Sequence, residues 1–293
     1  MEKNTLKTVN SLSGGKTSSY IAANYPADYN IFALVRTNDK NCIFPDKKIR
    51  QIVSDKIKQE FIGTLEMDAI VYTMLDLEQY IGKEIIWVTG RTFEDIITKG
   101  HGKVALPTPI RRFCTVEMKI EPIFNYWYEH INEIVETRIG FRANETKRAK
   151  TMMNRCAQTG GVMTFKTIVG KSKNGNRNKW ADIPYQIPAF PLINDVIYKD
   201  KIENFWKDKP VRFAYMNNCV GCMHRSPVLL KHMDNKEPNK IQWFIDQEER
   251  AMKSYKNNQW KEGITYQQIR NSLTQMKLFD DDFNECDTGY CGL

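Results

Sequence analysis

No apolar run in the 293-residue chain approaches the roughly 20 residues a membrane-spanning helix requires, and the longest are cut by charge, as in Lys83-Glu84-Ile85-Ile86-Trp87-Val88. The first residues, Met1-Glu2-Lys3-Asn4-Thr5, contain no apolar core and no cleavage site, so no secretory signal is expected. There is no internal repeat and no long Pro- or Ser-rich linker. Histidine is scarce: the four residues His101, His130, His224 and His232 fall at no metal-ligand spacing. His224 alone lies near a motif, and a surface role is expected for it. These absences point to a soluble, cytoplasmic protein without a membrane partner.

What is present argues for a packed enzyme-sized domain. Hydrophobic residues make up 41%, charged residues 27% and aromatics 11%, which excludes a disordered or low-complexity chain. Lys and Arg number 43 against 35 Asp and Glu, and the net charge of +8 favours anionic partners such as nucleotides or nucleic acid. In a reducing compartment the seven cysteines read as metal ligands or redox thiols before disulfides.

The first 150 residues alternate short apolar segments with helical spacing. Strands are expected at 8–12, 31–35, 84–88 and 134–139, and helices at 17–23, 47–60, 67–80 and from about Pro122, a residue tolerated in a first turn. Strands separated by helices imply parallel crossovers, hence an α/β fold with a parallel sheet covered on both faces. Residues 151–293 read as an elaboration of that core. Strands at 162–169 and 183–187 flank a polar, basic hairpin loop from Gly170 to Lys179, and helices follow at 199–206, 240–256 and 265–276. The hairpin's cations and Trp180 offer a weak signal for a nucleic-acid backbone against the plain reading of a solvated loop. Tyr126, Trp127 and Tyr128 read as helix packing, and Cys42 and Cys156 as buried thiols outside any motif.

Ser13-Gly14-Gly15-Lys16-Thr17-Ser18 lies between the first strand and the first helix. Glycines there let the backbone approach a phosphate, and the helix amides and dipole favour an anion. The common nucleotide loop G-x-x-x-x-G-K-[ST] fails, because Asn10 stands where its first glycine belongs. A second segment, Arg111-Arg112-Phe113-Cys114 through Lys119 to Pro122, places cations around a cysteine ahead of a helix, which favours the thiolate and suits phosphate or sulfate. A third, Gly140-Phe141-Arg142-Ala143-Asn144-Glu145-Thr146-Lys147-Arg148-Ala149, follows the fourth strand. At the carboxyl ends of parallel strands, Arg142 and Arg148 can converge on a nucleotide. Finally Cys219-Val220-Gly221-Cys222 has a spacing that serves zinc, iron–sulfur or a redox dithiol, and Cys286 and Cys291 form a later pair.

Together these segments resemble the 3′-phosphoadenosine-5′-phosphosulfate (PAPS) reductase-like family of the pyrophosphate-loop, adenine nucleotide α-hydrolase-like superfamily. The resemblance covers about residues 5–230, through the patterns S-G-G-x-[D/T]-S, C-[TC]-x-x-x-K-[IV]-x-P and G-[IF]-R-x-x-E-x-x-R-A. It implies a Rossmann-like fold of the HUP type. It also implies an enzyme that binds ATP, with magnesium, at Ser13, Gly14, Gly15, Lys16, Thr17 and Ser18, and Arg142, Arg148 and Lys119 acting on the charge of the reacting group. Cys114, Cys219 and Cys222 match positions that ligate a four-iron four-sulfur cluster in related adenylylsulfate reductases, with a fourth ligand from Cys286 or Cys291. Zinc on Cys219, Cys222, Cys286 and Cys291 is the rival. Departures from the pattern matter. Thr17 replaces an aspartate of many members, Phe113 replaces the first of two adjacent cysteines, and the E-C-G-[LI]-H ending of the reductases is split between Glu285-Cys286 and Cys291-Gly292-Leu293 without its histidine. The expected reaction is adenylyl transfer from ATP, for sulfur insertion or nucleic-acid modification with a sulfur donor. Sulfonucleotide reduction with a thiol reductant is one alternative, and a non-catalytic nucleotide- or nucleic-acid-binding protein with structural zinc is another.

Overall fold

A computed structural model describes residues 6–172, 174–255 and 258–272. Six strands form one sheet: β1 (Thr8–Leu12), β2 (Tyr29–Ala33), β3 (Ile86–Val88), β4 (Val135–Arg138), β5 (Met163–Lys171) and β6 (Asn178–Ala189). Their order is β3-β2-β1-β4-β6-β5, and every neighbouring pair is parallel except β5 with β6. The helices are α1 (Lys16–Asn24), α2 (Lys47–Ile57), α3 (Ala69–Ile81), α4 (Phe93–Ile97), α5 (Phe113–Thr115), α6 (Glu121–His130), α7 (Thr146–Cys156), α8 (Pro191–Asn194), α9 (Lys199–Trp206), α10 (Pro227–Lys236), α11 (Pro238–Ser254) and α12 (Tyr266–Asn271). A π-helical turn, Val116–Ile120, joins α5 to α6.

The period-two alternation of strand side chains sends successive residues to opposite faces, and both faces are buried. Leu12, Phe32 and Trp87 pack with Ile21, Val53, Met74 and Trp206 of α1, α2, α3 and α9. Val9, Ile31, Ala33 and Val135 pack on the other face with Phe124 and Trp127 of α6. A further core lies under the last helices, where Trp243, Phe244, Trp260 and Tyr266 surround Phe93 and Val220. Its rings meet edge-on, at 5.1 Å for Phe93–Trp243 and 5.2 Å for Phe244–Trp260.

The α/β class and the mostly parallel sheet agree with the sequence reading, and β1 spans the expected residues 8–12. The segment expected as a loop from Gly170 to Lys179 is shorter. The ladder continues past a register shift near Gly170, leaving the turn at 172–177, closed by Ser172 N donating to the Arg177 carbonyl at 2.8 Å. β6 then runs on to pair with β4, so the second strand of the hairpin is also a member of the main sheet. Helix α10 was not anticipated, although Ser226-Pro227 carries its start signal: the serine side chain accepts from Leu229 N and the proline occupies the first turn. Among the described residues, no helix is long and apolar enough to cross a membrane.

One ion pair ties the segment before the last helices to the sheet domain. Arg212 donates from Nε and Nη2 to both carboxylate oxygens of Asp76 on α3, each at 2.7 Å, and its backbone N–H adds a third bond at 3.0 Å. Those bonds from Arg212 hold the Asp76 carboxyl below the ordinary aspartate value, against the opposing effect of burial. Because the folded pKa is the lower one, this contribution is complete above about pH 4 and disappears as the pH falls through the depressed value. Urea midpoints measured between pH 6 and pH 2 should fall less steeply below pH 4 in Asp76→Asn than in the parent protein.

Candidate functional site

The chain leaves β1 at Leu12 and enters α1 at Lys16 through two glycines. Gly14 has φ +81°, and a Cβ there would stand 2.5 Å from Ile70 Cγ2, so both the left-handed conformation and the close approach require glycine. Gly15 is the N-cap of α1 and offers no side-chain acceptor to the first-turn amides. Ser18 Oγ accepts from Ser13 N at 3.1 Å and donates to the Gly15 carbonyl at 3.2 Å, which folds the loop onto the helix start. No acidic side chain stands in the first turn of α1. This is the arrangement that accepts an anion at a helix N-terminus. Lys16 behaves differently from its neighbours: its ammonium pairs with Glu203 of α9, and its carbonyl accepts from Trp206 Nε1 at 2.9 Å.

The third motif sits beside the first. β4 is parallel and adjacent to β1, so Gly140 and Arg142 emerge from the same edge of the sheet as Ser13. A Cβ on Gly140 would come 3.3 Å from Thr17 Cγ2, which measures how closely the two loops approach. Here the connections reverse direction, since β1 to β3 build outward on one side and β4 starts the other; ligand crevices in open parallel sheets form at such points. Glu145 accepts from Arg142 N at 2.9 Å and Nε at 3.1 Å, and its other oxygen pairs with Arg148. The Arg148 guanidinium also lies over the Phe141 ring at 4.5 Å. Glu145 thus orients both arginines.

Cys114 and, more than a hundred residues further along the chain, Cys219 and Cys222 line one cavity of about 50 Å³ together with Lys119, Phe244 and Trp260. The Cys219–Cys222 turn is held from several sides. Its backbone bridges Glu66, Val220 N donates to the Leu65 carbonyl at 2.8 Å, and Tyr266 Oη donates to the Gly221 carbonyl at 3.0 Å. Arg225 reaches back to the Cys219 carbonyl at 3.3 Å. Contrary to the expectation of a favoured thiolate, burial pushes the Cys114 thiol up to about 11; the nearby Cys222 adds to this, and Thr115 and Lys119 offset only part of it. Burial, with Glu66 beside it, also raises Cys219 well above the ordinary value. His224 is exposed at the cavity wall, and burial with Arg112 and Lys261 nearby lowers its pKa. Cys42 and Cys156 are buried and neither lines this cavity, although Cys42 belongs to the core against which Cys114 and Cys219 pack. Cys286 and Cys291 lie outside the described residues.

Would a metal group fit these thiols? Among the described residues, no three of His, Cys, Asp and Glu are grouped so as to hold a single metal ion. A tetrahedral zinc with bonds of about 2.3 Å would draw its thiolates to about 3.8 Å of one another. A polynuclear cluster spreads its ligands around a larger body. Three soft donors around an apolar cavity, with Lys119 and Arg225 supplying positive charge, suit that chemistry in kind.

Lys119 joins the two halves of the site. It lines the thiol cavity and also a smaller one, of about 20 Å³, whose wall includes Ser11 and Ser13. Its π-helical turn is a rare feature that recurs at functional sites. The partner that fixes it is Glu66, 1% exposed, whose Oε1 accepts from Lys119 Nζ at 2.9 Å. Burial disfavours the charged lysine, but the Glu66 carboxylate and the neighbouring thiols outweigh it and Lys119 is held above its usual pKa. Lys240 completes the group, donating to the Glu66 carbonyl at 2.6 Å and to Asp68 at 2.7 Å. Glu66 belongs to no motif. The signal for it was an acid within the apolar stretch Phe61-Ile62-Gly63-Thr64-Leu65-Glu66-Met67, where a charge must find a partner.

Comparison with protein-family models, with curated proteins and with solved structures finds no match.

The cysteine turn depends on a close ring contact. A Cβ at Gly221 would fall 2.4 Å from the Phe244 ring, in the middle of a dense aromatic core. Gly221→Ala should therefore lower unfolding free energy by about 1–3 kcal/mol, the usual cost of overpacking. Urea unfolding checks this against Gly100→Ala, whose added methyl meets nothing within 4 Å and should leave the midpoint near that of the parent.

Proposed function

We propose that the protein is a cytoplasmic ATP-using enzyme of the PAPS reductase-like, pyrophosphate-loop type, with a HUP-type fold. It activates a substrate by adenylyl transfer for sulfur insertion or nucleic-acid modification. The observation that carries this reading is Lys119, which stands between the glycine loop and the three cysteines and lines a cavity with each. On this reading a nucleotide activation site and a sulfur- or metal-handling site would lie side by side, formed by residues far apart in the chain.

In this reading the amides from Gly14 to Ser18 bind the phosphates of ATP, and magnesium, when bound with the nucleotide, would supply further positive charge there. An oxygen of the substrate attacks the α-phosphorus, the bond to the bridging oxygen breaks, and pyrophosphate leaves with that electron pair. Arg142 and Arg148, aligned by Glu145, and Lys119, aligned by Glu66, stabilise the negative charge gathering on the phosphoryl oxygens. Cys114, Cys219 and Cys222 would hold a four-iron four-sulfur cluster, with Cys286 or Cys291 as fourth ligand. When bound, such a cluster supplies electron-transfer or sulfur-binding capacity beside the activated substrate.

ATP incubated with the enzyme and its acceptor should yield pyrophosphate, and Gly14→Ala should weaken ATP binding in calorimetry by at least about tenfold, because its side chain enters Ile70 and strains the loop. Sulfite release from PAPS or adenylylsulfate, without pyrophosphate from ATP, would establish the reductase alternative instead. Anaerobic purification should give a brown protein with iron and sulfide, whose colour is lost in Cys219→Ala and Cys222→Ala. Stoichiometric zinc in a colourless protein, or iron retained in both variants, would remove the cluster assignment.

A further inference from the structure

The charge of this chain is not spread over it. Residues 146–189, which comprise α7 and the β5–β6 hairpin, contain nine of the 43 Lys and Arg and one of the 35 Asp and Glu. The remaining 249 residues hold 34 of each sign and are neutral. Within that remainder, residues 1–145 hold 19 of each sign, residues 190–272 hold 14 cations against 10 acids and residues 273–293 one against five, so α7 and the hairpin are the most strongly basic stretch of the chain. Lys147, Lys150, Arg155, Lys166, Lys171, Arg177 and Lys179 are all exposed, and none of these seven forms an ion pair among the described residues.

The hairpin is also built to reach. At its base, β6 pairs with β4 over Gln186–Ala189, and Phe165 of β5 stacks on Phe124 at 4.5 Å. Beyond that point the eight residues Asn178–Tyr185 have only β5 beside them, a two-stranded arm about 25 Å long at the usual rise per residue. The inward alternation, Phe165 and Ile183, packs against the sheet domain; on the other face Ile168 stands opposite Trp180 in the ladder, and these are 47% and 54% exposed. An exposed tryptophan on a cationic ribbon answers a requirement that a merely solvated hairpin does not have. The cations track a phosphate backbone, and the indole gives an unstacked base a surface to lie on. α7 packs on β5, and α7 begins beside Arg148, so the basic surface leads from the arm to the proposed nucleotide site.

We infer that α7 and the β5–β6 arm form a docking surface for a nucleic-acid strand with at least one unpaired base, stacked on Trp180. That the docked strand is also the acceptor of adenylyl transfer rests on the function proposed above; the docking itself does not. The test is fluorescence anisotropy of the full chain with a labelled 20-nucleotide single-stranded RNA, the matching single-stranded DNA and a blunt duplex DNA, between 50 and 200 mM salt. Single strands of at least one kind should bind more tightly than the duplex. Lys171→Glu/Arg177→Glu/Lys179→Glu should reduce the magnitude of the log–log salt slope by about 2, the loss of three phosphate contacts on a single strand. Trp180→Ala should weaken binding at least about fivefold, and Trp180→Phe should recover most of it. ATP titration by calorimetry should give the same affinity in the triple variant as in the parent. If the parent binds strands but not ATP, the docking surface stands and the proposed reaction falls. The inference is overturned if no strand binds at 50 mM salt, if the triple variant binds as the parent does, or if polyglutamate or phosphatidylserine vesicles compete as well as RNA while Trp180→Ala changes nothing.

Discussion

A carboxylate with 1% of its surface exposed cannot be left alone, and the candidate site is arranged around that requirement at Glu66. Its side chain takes the Lys119 ammonium at 2.9 Å, its carbonyl takes Lys240 at 2.6 Å, and its backbone bridges Cys219. One residue thus fixes a lysine from the π-helical turn, the start of α11 and the cysteine turn. Removing one partner of a buried pair costs about 3–5 kcal/mol, because the other is left charged and dry. This contact ties the lysine that lines both cavities to the cysteine turn. It also explains why Lys119 holds its proton in a buried place: the carboxylate and the sulfur atoms make the charged form the cheaper one.

The second constraint is topological. With β1 and β4 adjacent and parallel, and the connections leaving in opposite directions, two loops must start from the same edge within contact of each other. Gly140 is where they meet, against Thr17, while Gly14 is required by its own positive φ and by Ile70 of α3. The crevice thus follows from strand order, and the motif glycines are what allow backbone amides, not side chains, to line it. Arg142 and Arg148 then enter from one side, oriented by a single carboxylate, Glu145.

These relations were unevenly legible in the sequence. Strand β1, the glycine loop after it and the crossovers could be read, because each rests on local pattern: alternation, helical spacing and a turn that needs positive φ. Arg142, Glu145 and Arg148 were legible as a group because they share one turn and the helix it opens. The convergence of Cys114 with Cys219 and Cys222 is a matter of tertiary packing, and it was reached only through family resemblance. Local charge misled at Cys114, where flanking cations suggested a favoured thiolate and burial decides the opposite. Glu66 was missed because an isolated acid in an apolar stretch announces that a partner exists without naming it. The arm was underestimated for a related reason: glycine and asparagine around 170–178 mark a turn, but the ladder absorbs all except the tip.

Net charge illustrates how far composition carries. A value of +8 foretells an anionic partner without locating it, and the usual picture would be a diffuse field over the surface. Here residues 1–145, which carry the glycine loop, hold 19 charges of each sign, so that segment contributes no net field of its own. What the loop's geometry offers an anion acts at short range, through amides and a helix dipole that reach within a turn of the helix and are weakly screened when buried. The arm works at the opposite limit, with exposed point charges whose effect reaches about a Debye length and fades as salt is added. The two ranges respond differently to salt, which weakens the field of exposed charges and leaves a short-range amide contact largely unchanged.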